Sequence, residues 1–104
     1  MTLVVLRPDA ELDVRSAARW YEEQQPGLGA TFTDQVRDTV NRIAALPARF
    51  PVVAPPLRRA LLHQFPYAVY FVAERERAVV VGIFHQHRDP AAWRTRTPGS
   101  DEAG

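Results

Sequence analysis

Residues 67–85, YAVYFVAERERAVVVGIFH, decide the fold. Two apolar runs, Tyr67–Ala73 and Ala78–His85, flank the polar stretch Glu74-Arg75-Glu76-Arg77. β-branched and aromatic residues favour strands, and a short polar break between two such runs predicts a β-hairpin. In the first run both the odd set (Tyr67, Val69, Phe71) and the even set (Ala68, Tyr70, Val72) are apolar. The second run is apolar on both sides as well. An antiparallel sheet with one wet face alternates between apolar and polar residues, so this hairpin needs cover on both faces.

Upstream, Leu57–Leu62 reads as another strand, with a break at His63–Pro66. Before it, residues 47–56, PARFPVVAPP, hold four prolines and predict an extended connector without regular structure. Earlier still lie two helical patterns. Ala10, Val14, Ala17, Ala18 and Tyr21 repeat at helical spacing, from Pro8 to about Gln25, where Pro26-Gly27 stops the helix. Phe32, Val36, Val40 and Ile43 form the stripe of a second helix, which starts near Leu28–Ala30 and ends at Pro47. So short a link makes the two an antiparallel pair. Residues 2–6, TLVVL, read as a first strand, and Pro90–Arg94 as a short helical turn. The order β-α-α-β-β-β predicts an α+β fold, with a helical hairpin on one face of a small, mostly antiparallel sheet. Residues 1–94 form the expected domain and 95–104, TRTPGSDEAG, an expected disordered tail. The helices roof only one sheet face. The other is expected to be bare and to mark a partner or a second copy of the chain.

The length of 104 residues suits a single domain. With 46% hydrophobic and 24% charged residues, the composition is that of a globular chain. There is no cysteine, which excludes disulfides, thiolate metal sites and a Cys nucleophile. No apolar run approaches the ~20 residues of a membrane helix, and the N-terminus carries no secretory pattern, so a cytoplasmic location is expected. Formal charge is +1, unevenly spread: residues 1–54 carry six Arg against seven acids, residues 55–94 six Arg against three. Every cation is Arg, a residue that grips carboxylate or phosphate in a planar fork. The basic half predicts an acidic partner.

Familiar catalytic arrangements are missing. No P-loop or glycine-rich dinucleotide loop occurs, and the two serines, Ser16 and Ser100, fall in a helix and the tail. The segment His85-Gln86-His87-Arg88-Asp89-Pro90 holds the densest functional groups. His85 and His87 share one side of a strand, so with Arg88 they form a candidate acid–base and phosphate-stabilising set for metal-independent RNA cleavage. The bland alternative is a strand end, with Asp89 pairing Arg88 or capping a turn. No metal or cofactor is expected. Arg58 and Arg59 point to opposite faces. Tyr67, Val69 and Phe71, with Trp20 off the main helical stripe and Trp93 near the end, complete the candidate partner-binding set.

Four pieces together resemble the RelE/ParE superfamily of bacterial type II toxins, often labelled plasmid-stabilisation proteins. They are ARWYEEQQPGLGATF (18–32), LPARFPVV (46–53), RRALLHQFPYAVYF (58–71) and IFHQHRDPAAW (83–93). The resemblance spans residues 2 to about 94 and implies the α+β fold already read. It implies a growth-arresting toxin neutralised by a cognate antitoxin, alone as a homodimer or in a heterotetramer with that antitoxin. RelE-like members cleave mRNA on the ribosome; ParE-like members poison DNA gyrase. A nuclease arginine of the RelE-like branch falls here on Tyr67, a second corresponds to Arg88, and the lysines are absent. The ending Arg88-Asp89-Pro90 with Trp93 is closer to the ParE-like branch. The resemblance therefore implies gyrase inhibition first, with ribosome-dependent RNA cleavage through His85, His87 and Arg88, or a non-toxic binding module, as alternatives.

Overall fold

A computed structural model describes residues 1–87 and 90–96 of the chain. The elements are β1 (Leu3–Leu6), α1 (Pro8–Gln24), α2 (Leu28–Ala45), a 3₁₀ turn (Pro47–Arg49), β2 (Val52–Ala54), β3 (Leu57–Leu61), β4 (Tyr67–Ala73), β5 (Arg77–His85) and α3 (Ala91–Arg94). The order read from the sequence holds, with one addition. The proline-rich connector is not structureless: it contains the 3₁₀ turn and β2, which pairs through Val52 and Ala54 with Arg58 and Leu57. Prolines delimit that strand rather than interrupt it, so no ladder N–H is lost. No helix among the described residues is long and apolar enough to cross a membrane.

Local chemistry sets the helical hairpin. Pro8 opens α1, and Asp9 and Glu11 sit at the positive end of its dipole. α2 lacks a side-chain cap of its own; its first residue follows Gly27 at φ +91°. Glu22 in the last turn of α1 takes over that role. Its carboxylate accepts the N–H groups of Gly27 and Gly29, each at 3.0 Å. Gly29 also lets the helices touch, because a Cβ there would lie 2.6 Å from the Ala18 carbonyl oxygen.

The sheet order is β1-β5-β4-β3-β2. β1 runs parallel to β5 and the other pairs are antiparallel. Phe32, Val36 and Ile43 of α2 and Ala10 and Ala17 of α1 bury Ala60, Val69, Phe71, Val80 and Ile83 beneath them. A bulge in β5 keeps this face consistent. Tyr70 pairs with Gly82 and Phe71 with Val80, so Val81 is the extra residue. Without that shift Val80 and Ile83 would point to opposite sides.

The opposite face departs from expectation. It is not bare. Leu57, Ala68, Tyr70, Val72, Val81 and Phe84 form a second buried cluster with Trp93, and Tyr70 is only 1% exposed. The roof is the C-terminal turn. The Trp93 ring stacks on Tyr70 with centroids 5.3 Å apart and planes 17° off parallel. The Arg96 guanidinium lies 4.8 Å above the Phe84 ring. Among the described residues this face stays open at its margins, at Leu3 and Val5 on β1 and at Leu61 on β3. An obligatory companion therefore does not follow from the hairpin's two apolar sides.

Arg96 is held from the other side by Asp13 of α1, at 2.6 Å and 3.2 Å. Its Nη1 also donates to the Val81 carbonyl at 3.2 Å, while Asp13 accepts the Ile83 N–H at 3.0 Å. β1 pairs with β5 only as far as Val80, so these two side chains satisfy the strand edge that β1 leaves uncovered. Asp13→Ala is expected to cost about 2 kcal/mol and lower Tm by roughly 10 °C, since it strands an N–H and a half-enclosed guanidinium. Thermal unfolding checks the loss. Arg96→Ala should then cost clearly less in the Asp13→Ala background than in the native chain.

Candidate functional site

A groove of about 680 Å³ runs between α1 and the end of β5, where β5 has lost its β1 neighbour. Its walls are Asp13, Ser16, Trp20 and Tyr21 from α1, Tyr67 from β4, and Ile83 to His85 from β5, with Arg96 closing one end. The strand pairing explains why Tyr67 and His85 meet: they are cross-strand partners on the helix-facing side, with ring centroids 5.3 Å apart. Tyr21 stands over them from α1, 6.0 Å from Tyr67 and 4.8 Å from Phe65. Phe32 stacks behind Tyr21 at 5.3 Å and meets Tyr67 edge-on at 5.1 Å. The aromatic wall is thus anchored in the core, and core packing fixes its geometry.

Trp20 is the exception. It touches Tyr21 edge-on at 5.0 Å yet is 53% exposed, a large apolar ring held at the rim. Burial, with a smaller contribution from Tyr67, raises the Tyr21 phenol above its ordinary pKa. It stays protonated through the neutral range and acts only as a hydrogen-bonding hydroxyl. His85 Nδ1 accepts the His87 N–H at 3.1 Å, so the proton of the neutral ring sits on Nε2. The Arg96 guanidinium is the one guanidinium among the described lining residues, and Asp13 pairs with it. That hydrogen bond, chiefly, pushes its pKa further up.

The groove gathers only part of the site expected from the sequence. Trp20, Tyr67 and His85 converge here. His87 is exposed beside His85, with rings 5.3 Å apart. Arg88 and Asp89, and residues 97–104 of the expected tail, lie outside the described residues. Val69 and Phe71 are fully buried beneath the chain's own helices, so in the folded chain they are core residues without a surface to offer a partner. Trp93 is likewise enclosed, as the roof on Tyr70. Arg58 is committed internally, donating to the carbonyls of Phe50 at 2.6 Å and Ala48 at 3.3 Å, which fastens the 3₁₀ turn. Arg59 stands at the far edge of the sheet with His63. Among the described residues no three His, Asp or Glu side chains converge as metal ligands do.

Asp13, Tyr21 and Arg96 escaped the sequence reading. Tyr21 entered that reading only as one position of the apolar stripe of α1. Asp13, Ser16 and Trp20 follow one another at helical spacing beside that stripe, a signal that could have placed the groove along α1. Nothing local links Asp13 to Arg96.

A family model described as the ParE toxin of type II toxin–antitoxin systems, parDE, matches residues 4–90. Among solved structures, a chain of the chromosomal ParDE toxin–antitoxin system from P. aeruginosa superposes with a TM-score of 0.73. The match covers 82% of this chain and 96% of that one at 15% identity, a likeness of fold. A search of curated proteins returned no match.

Proposed function

Since the chain belongs to the ParE toxin family of type II toxin–antitoxin systems, we propose that it arrests bacterial growth by inhibiting DNA gyrase through protein–protein contacts, and that a cognate antitoxin neutralises it. The observation that carries this reading is the lining of the groove. It is aromatic, pre-formed by core packing, and rimmed by a half-exposed Trp20. Interface hot spots favour Trp and Tyr in such settings. The guanidinium in the groove is neutralised by Asp13, which suits a protein surface better than a phosphate backbone.

The alternative is RNA cleavage on the ribosome, favoured by one observation: His85 faces the groove beside Tyr67. His85 and His87, with Arg88, would then supply the proton transfers and charge stabilisation.

Purified chain added to a gyrase supercoiling assay should block supercoiling and leave translation in a cell extract running. Trp20→Ala should weaken inhibition between ten- and a hundredfold while Tm shifts by about 2 °C or less, because the ring is exposed. Translation arrest with intact gyrase activity would instead assign the chain to RNA cleavage, with His85→Ala as the disabling change. The antitoxin arm is tested by restoring supercoiling with the product of the neighbouring gene.

A further inference from the structure

The two outer strands of the sheet are guarded differently. β2 has three residues set between prolines, which blunts that edge. β1, Leu3-Val4-Val5-Leu6, holds neither a proline nor a charge. The hydrogen bonds around it show which main-chain groups it leaves open. The Arg7 N–H donates to the Val80 carbonyl at 3.0 Å, so the odd-numbered residues of β1 turn their main chain toward β5. The even-numbered residues turn outward, and the first of these, Thr2, donates its N–H to the Ala44 carbonyl at 2.9 Å. The outward N–H and C=O groups of Val4 and Leu6 have no partner among the described residues.

The side chains at this margin are apolar on both faces of the sheet. On the Trp93 face, Leu3 is 65% and Val5 37% exposed. On the helix face, an apolar cleft of about 380 Å³ adjoins the strand at Leu6, and Val14, Val36 and Val40 continue its lining. Glu11 and Arg15 also line the cleft, and neither forms an ion pair among the described residues.

We propose that this side of the molecule is an interface between two copies of the chain, in which β1 pairs antiparallel with β1 of the second copy about a two-fold axis at Val5. The two sheets then become one. The register follows from the open groups: Val4 exchanges both main-chain bonds with Leu6 of the second copy, and Leu6 with its Val4. An axis at Val4 would instead need Thr2, which Ala44 already holds. At the axis Val5 meets its own copy at the closer, non-bonded spacing, with Leu3 on the diagonal beside it. A patch that meets itself repels itself if it holds charge of one sign. This one holds Glu11 and Arg15, hence both signs. The occupant is a second copy because the open groups lie symmetrically about Val5 and so complement themselves. A four-residue edge buries less than a standard interface, and the dimer is accordingly weak. The inference stands apart from the gyrase reading.

The test is analytical ultracentrifugation of the full chain over a wide concentration range, with residue-resolved amide exchange by NMR at its two ends. The mass should rise toward twice that of the chain. The Val4 and Leu6 amides should exchange at least tenfold more slowly at the concentrated end. Val5→Lys sets two ammonium groups against each other at the axis and should weaken the dimer at least tenfold, while Tm shifts by about 2 °C or less. Trp20→Ala, in the other groove, should dimerise as the native chain does. A chain that stays monomeric throughout, a dimer that survives Val5→Lys, or a dimer whose Val4 and Leu6 amides exchange as in the monomer overturns the proposal. Should Val5→Lys fail to fold, the exchange rates of the native chain decide alone.

Discussion

Trp93→Ala is expected to remove about 4 kcal/mol of stability, a large part of what a domain of this size holds. α3 has only four residues and no cooperative helix stability of its own. Its hold on the sheet comes from the indole stacked on Tyr70 and from Arg96 clasped by Asp13. Deleting the indole removes a large apolar surface and uncovers Tyr70, Phe84, Val81 and Ala68. Urea unfolding should show the midpoint fall, and size exclusion should show the soluble fraction shifting to larger species as the face seeks new cover. Trp93→Phe should retain most of the stability. A loss below about 1 kcal/mol for Trp93→Ala would mean that the C-terminal turn is not the roof of this face.

Gly29→Val is the second change with a large expected effect, about 3 kcal/mol or outright failure to accumulate. The atom in the way of a new Cβ is a backbone oxygen of Ala18, 2.6 Å distant, and it cannot rotate aside. The helices would have to part, and the bond from the Gly29 N–H to Glu22 would go with them. Gly27 supplies the contrast. Nothing lies within 4 Å of a Cβ there, but its φ of +91° is strained for any side chain. Gly27→Ala should therefore cost about 1 kcal/mol through backbone strain alone. Equal losses at the two positions, measured by thermal unfolding, would contradict the packing argument for Gly29.

Much of the architecture was legible because it is written in local periodicity. The β4 run Tyr67–Ala73 was read to the residue, and both helices to within a residue or two, since Pro8, Pro26-Gly27 and Pro47 punctuate them. The errors share a cause. β2 hides among prolines, where composition argues against a strand, and forms because β3 offers it an edge. The covered second face is a tertiary fact. One indole and one guanidinium do the covering, and Arg96 finds Asp13 across 83 residues of chain. Composition placed Arg96 in a tail. Val69 and Phe71 were offered to a partner because both sides of their strand are greasy, which leaves a one-dimensional pattern unable to say which side the helices take. Trp20, set beside the stripe rather than in it, was read as a partner-binding candidate, and the structure holds it half-exposed on the groove.

The pairing of β1 with β5 has a kinetic corollary. Leu3 finds its ladder partner at Arg77, so the opening strand cannot join the sheet until β5 has been made. On a ribosome, whatever has emerged before Arg77 carries an orphaned first strand and an unfinished layer. Maturation is thereby deferred until β5 is in place, and products that stop short of it should be inert debris rather than weak versions of the finished molecule.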